Sequence, residues 1–196
     1  IGDKWMIVAT SSPNLDGGAR GVYMGGDPGS GSGDAIDFIT ISTAGNAIDF
    51  GNSTEARRGG RGCGSRTRGI HMGGAASNRS DRIDFVTMAS TGNATDFGNL
   101  QSARTVDCAS NQTCGLGGSE AGSNTDKIDF ITIASTGNGV DFGNCTSTNS
   151  SDGGGFASPT RGFQVSTSAN PDFGQFVTIS TLGNATEFTD GSFHDQ

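Results

Sequence analysis

Apolar and polar residues alternate with a period of two in short runs along this chain, and the runs recur in the same order. In Ile36-Asp37-Phe38-Ile39-Thr40-Ile41, alternation puts Ile36, Phe38 and Thr40 on one side and Asp37, Ile39 and Ile41 on the other. Both sides carry large apolar groups. The run therefore predicts a strand covered on both faces rather than one with a solvated face. It returns at Ile83 to Thr91 and at Ile128 to Thr136, and a divergent copy spans Gln175 to Thr181. Each copy leads to a Gly-Asn pair: Gly45-Asn46, Gly92-Asn93, Gly137-Asn138 and Gly183-Asn184. Each pair leads to an acidic residue and a phenylalanine: Asp49-Phe50, Asp96-Phe97, Asp141-Phe142 and Glu187-Phe188. The Gly-Asn pairs predict tight turns, because glycine and asparagine supply positive φ. Phe38, Phe50, Phe85, Phe97, Phe130, Phe142, Phe176 and Phe188 stand at fixed repeat positions and are the expected core. No window shows the period of an amphipathic helix, so essentially no helix is predicted.

The Gly-Asn pairs recur roughly every 46 residues, a spacing that marks propellers, solenoids and arrays, whose units cannot bury their apolar faces alone. One repeat reads as four short strands. In the second, Arg58 to Gly64 is glycine-rich, Arg68-Gly69-Ile70-His71-Met72 ends at Gly73-Gly74, Ala75 to Asp81 is a polar loop, and Arg82 to Ala89 is rich in strand formers. The Ser90 to Asn93 turn then leads into Ala94-Thr95-Asp96-Phe97. A strand covered on both faces fits a blade packed between two others, and the glycine-rich first strand suits the crowded axis. The expected fold is all-β, a small β-propeller of four four-stranded blades at about 4–53, 54–100, 101–146 and 147–191, with 192–196 as a tail of the single 1–196 domain. An open fragment of a larger propeller or a β-solenoid is the alternative. Lys4 to Ala9 is expected as the inner strand of the first blade; the alternative is an outer strand that pairs with the last blade and locks the ring.

A hairpin ending in Gly-Gly (Gly25-Gly26, Gly73-Gly74, Gly117-Gly118), then a strand, a turn and a last strand, resembles a degenerate kelch repeat. Ser166-Thr167 replaces the pair in the fourth repeat, and the outer-strand tryptophan of kelch blades is missing. More specifically, Arg68 to Gly74 followed by Ile83-Asp84-Phe85 to Asp96-Phe97 is similar to tandem repeats in virion structural and tail-fibre-like proteins of marine tailed bacteriophages, cyanophages especially. The resemblance covers nearly the whole chain. It implies a kelch-like component at the surface of a phage particle, contacting other virion proteins, and it transfers no catalytic residue.

Composition narrows the function. The chain has 196 residues and a formal net charge of −8, which argues against nucleic acid and against an anionic membrane surface. No apolar run has the length of a membrane span. The cluster Arg57, Arg58, Arg61, Arg66 and Arg68 reads as a solvated charged edge in so acidic a chain. Cys63, Cys108, Cys114 and Cys145 lack zinc-site spacing and read as small buried thiols, with a Cys108–Cys114 disulfide across a hairpin as the alternative. His71 is the one histidine outside the tail, so no nucleophile–base pair can be argued, and no cofactor is expected. Asp37, Asp84 and Asp129 occupy equivalent positions and are the candidate metal ligands, a ring that could hold Ca²⁺; the competing reading is local bonding to the backbone near a turn. The expectation is a non-enzymatic structural or decoration protein of a virion, able to form homo-oligomers. The second reading is a fibre adhesin that binds host-surface glycan, with Tyr23 or Trp5 as a lone aromatic platform.

Overall fold

The computed structural model describes residues 19–29, 31–119, 125–146, 153–166 and 173–189. The expected Lys4–Ala9 strand, most of the 119–126 connection, all of the 168–172 connection, the 192–196 tail and His194 lie outside the described residues. Within them the chain is all-β, with fifteen strands in four antiparallel sheets and no helix.

The first sheet contains β1 (Arg20–Gly26), β2 (Gly33–Thr40) and β3 (Ile48–Asn52). The second contains β4 (Arg61–Gly64), β5 (Arg68–Met72), β6 (Arg82–Thr87) and β7 (Thr95–Asn99). The third contains β8 (Val106–Ser110), β9 (Cys114–Ser119), β10 (Lys127–Thr132) and β11 (Val140–Asn144). The fourth contains β12 (Gly154–Ala157), β13 (Arg161–Ser166), β14 (Phe173–Thr178) and β15 (Thr186–Thr189). Every sheet is a meander in chain order, and the arrangement is that of small propeller blades. The innermost strands β4, β8 and β12 pack side by side. Glycine is required there, as a Cβ on Gly155 would lie 2.5 Å from the Cys108 carbonyl carbon. The four sheets do not close into a ring; the described first and last sheets are the two ends of an open arc.

All four sheets carry the same irregularity. The register between the last two strands of each shifts at Ile36/Asp37, Ile83/Asp84, Ile128/Asp129 and Gly174/Gln175. The extra residue of each bulge is Phe50, Phe97, Phe142 or Phe188, and a bulge re-aims the side chain it carries. The next residue is Gly51, Gly98 or Gly143, with φ of 148–150°, and Thr189 in the fourth sheet.

The core is divided among the joints between sheets. Ile36, Phe38 and Phe50 of the first sheet enclose Val86 of the second. Ile70, Met72, Ile83 and Phe97 of the second sheet meet Val106, Cys108, Ile131 and Ile133 of the third. Leu116, Ile128 and Phe142 of the third meet Val177 and Ile179 of the fourth. At about 1.5–3 kcal/mol for each fully buried large apolar side chain, each joint is a core in its own right. The two-sided burial read from the alternation thus holds wherever a sheet has neighbours. It fails at the ends. Ile39 and Ile41 are 47% and 64% exposed, although their counterparts Val86, Ile131, Ile133, Val177 and Ile179 are buried. Phe188, expected in the core, is 64% exposed, whereas Phe50, Phe97 and Phe142 are each 3% exposed. Phe38 is buried, and Phe85, Phe130 and Phe176 are half-buried.

Candidate functional site: the joints and the two free faces

Three devices fasten one sheet to the next, and all are built from repeat residues. The first is the Gly-Asn turn, which does more than reverse the chain. The Gly92 N–H donates to the Phe50 carbonyl of the preceding sheet (2.7 Å), and the Ala94 N–H donates to the Asn52 carbonyl (2.8 Å). The Asn93 side-chain oxygen accepts from the Asn52 N–H (3.0 Å). The set repeats with Gly137, Gly139 and Asn138 on Phe97 and Asn99, and with Gly183, Ala185 and Asn184 on Phe142 and Asn144. A Cβ on Gly51 would lie 2.5 Å from the Gly92 oxygen, so the receiving strand needs glycine at that point as well. No described sheet precedes Gly45 and Asn46; both are exposed, and a Cβ on Gly45 would meet open space.

The second device runs through the repeated acidic position. Arg57 is bound by its backbone to the first sheet, where its N–H donates to the Gly33 carbonyl and its carbonyl accepts from Gly26. Its guanidinium reaches into the second sheet, 3.0 Å from Asp84 and 3.3 Å from the His71 carbonyl, to which it donates. Arg104 repeats the design: its backbone bonds Gly74 and Ser80 of the second sheet, and its guanidinium pairs with Asp129 of the third. Both pairs are fully buried. Thr54 Oγ1 donates to Asp84 (2.6 Å), and the Gln101 backbone and side chain both donate to Asp129. In the fourth sheet Gln175 takes this place and accepts from Thr146 of the preceding connection (2.7 Å). Two readings of the sequence are corrected here. Arg57 lies in the interior rather than on a solvated edge, because a charge can be buried when a carboxylate meets it. Asp84 and Asp129 are held by arginines of the preceding connections rather than by local backbone, and each is occupied at its own joint. Burial pulls the Arg57 pKa below its usual value, and Asp84 and Glu55 oppose that pull. Asp37, half-buried, borders a hollow on the free face of the first sheet with Phe38, Ile39 and Ala47. The described residues contain no group of three His, Cys, Asp or Glu side chains placed to hold a metal. At the other repeated acidic position, Asp141 accepts from the Gly143 N–H, a local contact of the kind expected beside a turn.

The third device is an arginine at the start of the strand two before the last in a sheet. Arg20, Arg68 and Arg161 lie over the rings of Phe38, Phe85 and Phe176, 4.5–4.7 Å from their centroids. Arg20 also donates across the joint to the Met88 carbonyl (2.8 Å), and Arg68 to the Ile133 carbonyl (2.9 Å). Cys114 holds this place in the third sheet, so the third joint lacks the contact. Arg161 keeps it in the fourth sheet, which no described sheet follows.

The four cysteines are free thiols. The neighbour of Cys108 is Cys63, across the β4–β8 contact, rather than Cys114. A hydrogen bond with Cys63 and burial push the Cys108 thiol well above its ordinary pKa. His71 is buried against Gly60, on which a Cβ would lie 2.8 Å from the imidazole Cδ2. Burial, with the nearby Arg57 charge, lowers its pKa to about 3, so it stays neutral. A cleft of about 550 Å³ opens between β1 and β4–β5, lined by Tyr23, Arg61, Ser65, Arg68 and Met88 among others. Tyr23 is 65% exposed and also borders the hollow beside Asp37 and Ile39.

The inter-sheet roles of Asn93, Arg57 and Arg20 were missed by the sequence reading. Their signal was the recurrence of Gly-Asn, of Ala-Arg (Ala56-Arg57, Ala103-Arg104) and of Arg-Gly (Arg20-Gly21, Arg68-Gly69, Arg161-Gly162) at fixed places in the repeat. The sequence matches no protein-family model, and no curated protein matches it.

Proposed function

We propose that this chain is a non-enzymatic structural or decoration component of a phage virion, held at the particle surface by contacts with other virion proteins. The carrying observation is the pair of bare joint faces. Ile39 and Ile41 at one end, and Phe156 and Phe188 at the other, are 47–64% exposed, although each face has the composition of the buried joints. Apolar surface of this kind marks sites of protein contact. The similarity of the repeats to virion proteins of marine tailed phages supports the particle as the place, and the net charge of −8 speaks against a role on nucleic acid.

Cryo-electron microscopy of the particle that carries the chain tests this reading. Density packed against other subunits of a capsid or tail shell is the expected result. Absence of the chain from purified particles would overturn it. The adhesin reading rests on one observation, the exposed Tyr23 beside Arg61 and Arg68 in the cleft between the first two sheets. Saturable glycan binding that Tyr23→Ala abolishes would favour it over the structural role.

A further inference from the structure

The two bare ends match each other. The first sheet presents what every following sheet presents to the one before it: Ile39 and Ile41 in the places of Val86 and Met88, the Gly45-Asn46 turn, and the Ile41 carbonyl in the place of the Met88 carbonyl that Arg20 meets. The fourth sheet presents what every preceding sheet presents to the one after it. Phe163, Phe176 and Phe188 hold the places of Val22, Phe38 and Phe50, and Phe156 stacks on Phe163 with centroids 5.1 Å apart. The Phe188 ring meets Phe163 and Phe176 edge-on at 5.7 and 6.3 Å, so the exposed face is an ordered aromatic surface. Arg161 lies over Phe176 in the pose from which Arg20 and Arg68 reach the next sheet.

We infer that these faces join two copies of this chain head to tail, the first sheet of one copy docking on the fourth sheet of the other, with Arg161 of one meeting the Ile41 carbonyl of its partner. The inference rests on the contact-forming role proposed above. Two devices are altered at this joint. Residues 190–196 hold no arginine to meet Asp37 as Arg57 meets Asp84. Thr189 stands in the register place of Gly51, Gly98 and Gly143, and a β-branched residue does not adopt φ near 150° without strain. The third internal joint shows that a joint survives such changes, since Cys114 stands there for the strand arginine and Gln175 for the ion-paired aspartate, and the Gly-Asn contact is kept. The intermolecular joint keeps the strand arginine and the apolar face, and is weaker than the internal ones at the turn. If both ends of both copies engage, the assembly closes with two-fold symmetry. Twice the four sheets of one chain then form the ring, within the range of about four to eight blades that propellers use.

Sedimentation equilibrium of the whole chain over a dilution series is the test. The expected result is reversible association at least to the mass of two chains. Ile41→Asp and Phe188→Asp each remove one face, and because both residues are exposed the variants should keep the circular dichroism spectrum of the parent and the melting it shows at dilutions where it is monomeric. Each variant alone should be monomeric. Mixed, they should form a one-to-one pair, since each retains the face that the other lacks. Arg161→Ala should weaken the parent association about tenfold, and Thr189→Gly should tighten it. A monomeric parent at every concentration, or no pairing of the mixed variants, overturns the inference. Either result leaves the structural role to contacts with other proteins; absence from the particle would overturn that role and leave the self-docking standing.

Discussion

Gly98 and Gly137 face each other across the second joint, and alanine at the two positions should have opposite consequences. Gly98 has φ of 150°, and a Cβ placed on it would lie 2.6 Å from the carbonyl carbon of Gly137. The backbone strain alone costs about 1–3 kcal/mol in a residue other than glycine. Relief of the clash requires the turn to withdraw. That would loosen the bonds from Gly137 to the Phe97 carbonyl (2.8 Å), from Gly139 to the Asn99 carbonyl (2.8 Å) and from Asn99 to the Asn138 side chain (3.0 Å). Each is worth about 0.5–1.5 kcal/mol net, and a partial withdrawal forfeits part of that sum. Gly98→Ala should therefore destabilise by roughly 3–5 kcal/mol, a large share of the roughly 5–15 kcal/mol that holds a domain together. Gly137→Ala adds its methyl group where nothing lies within 4 Å, and should shift stability by no more than about 0.5 kcal/mol. Urea denaturation followed by circular dichroism gives both numbers, and amide exchange at Gly137 and Gly139 locates the damage. The reasoning fails if Gly98→Ala stays within about 1 kcal/mol of the parent, or if Gly137→Ala costs as much as Gly98→Ala.

Further outcomes follow from the buried charges and thiols. Arg104→Met leaves Asp129 buried without its arginine and should cost about 3–5 kcal/mol, whereas Arg104→Met combined with Asp129→Leu should recover most of that; additive losses in the double-mutant cycle would refute the pairing. His71 has a folded pKa of about 3 against about 6.5 unfolded, so between those values the unfolded chain binds the extra proton. Its contribution is flat above pH ~6.5 and lost as pH falls, about 2 kcal/mol between pH ~6.5 and ~5. Denaturation of the parent and of His71→Gln across that range should differ by this slope, and parallel curves would show that His71 is not sealed. Thiol alkylation near pH ~8 followed by mass spectrometry should find Cys63 and Cys114, half-buried, modified well before Cys108, whose thiolate is disfavoured; equal rates for Cys108 and Cys114 would contradict its burial.

The legible part of this fold was what a single repeat determines. Alternation through Ile83 to Met88 fixed a strand with two apolar faces, and the fourfold spacing of Gly-Asn made that strand one of four. The same logic reached the inner strands, where Gly155 is needed because the Cys108 backbone is so close. Relations between repeats were not legible. Arg57 and Asp84 are 27 residues apart in sequence and meet because one belongs to a connection and the other to the next sheet. Read locally, an arginine in the run Arg57-Arg58 is a surface residue, and an aspartate near a turn bonds its own backbone. Only the stacking of sheets converts both into an interior ion pair. Phe188 shows the converse. It occupies a core position of the repeat, yet a core position is buried only where a further sheet covers it.

The division of the core among joints has a thermodynamic consequence. In repeat architectures stability is close to a sum of unit terms and nearest-neighbour interface terms. The second and third sheets each rest on two joints, and the first and fourth on one. The Val86 core of the first joint is also smaller than the core around Ile83, Val106 and Ile131. Opening of the single chain should therefore begin at its ends, with β1–β3 and β12–β15 exchanging their amides before β5, β6, β8 and β10. A contact that covers Ile41 and Phe188 together gives each end sheet its second joint. It should then slow exchange at both ends at once, although the two faces lie at opposite ends of the arc. A partner bound at one face only would protect one end and leave the other unchanged, so the exchange pattern of the assembled protein reads out which surfaces are engaged.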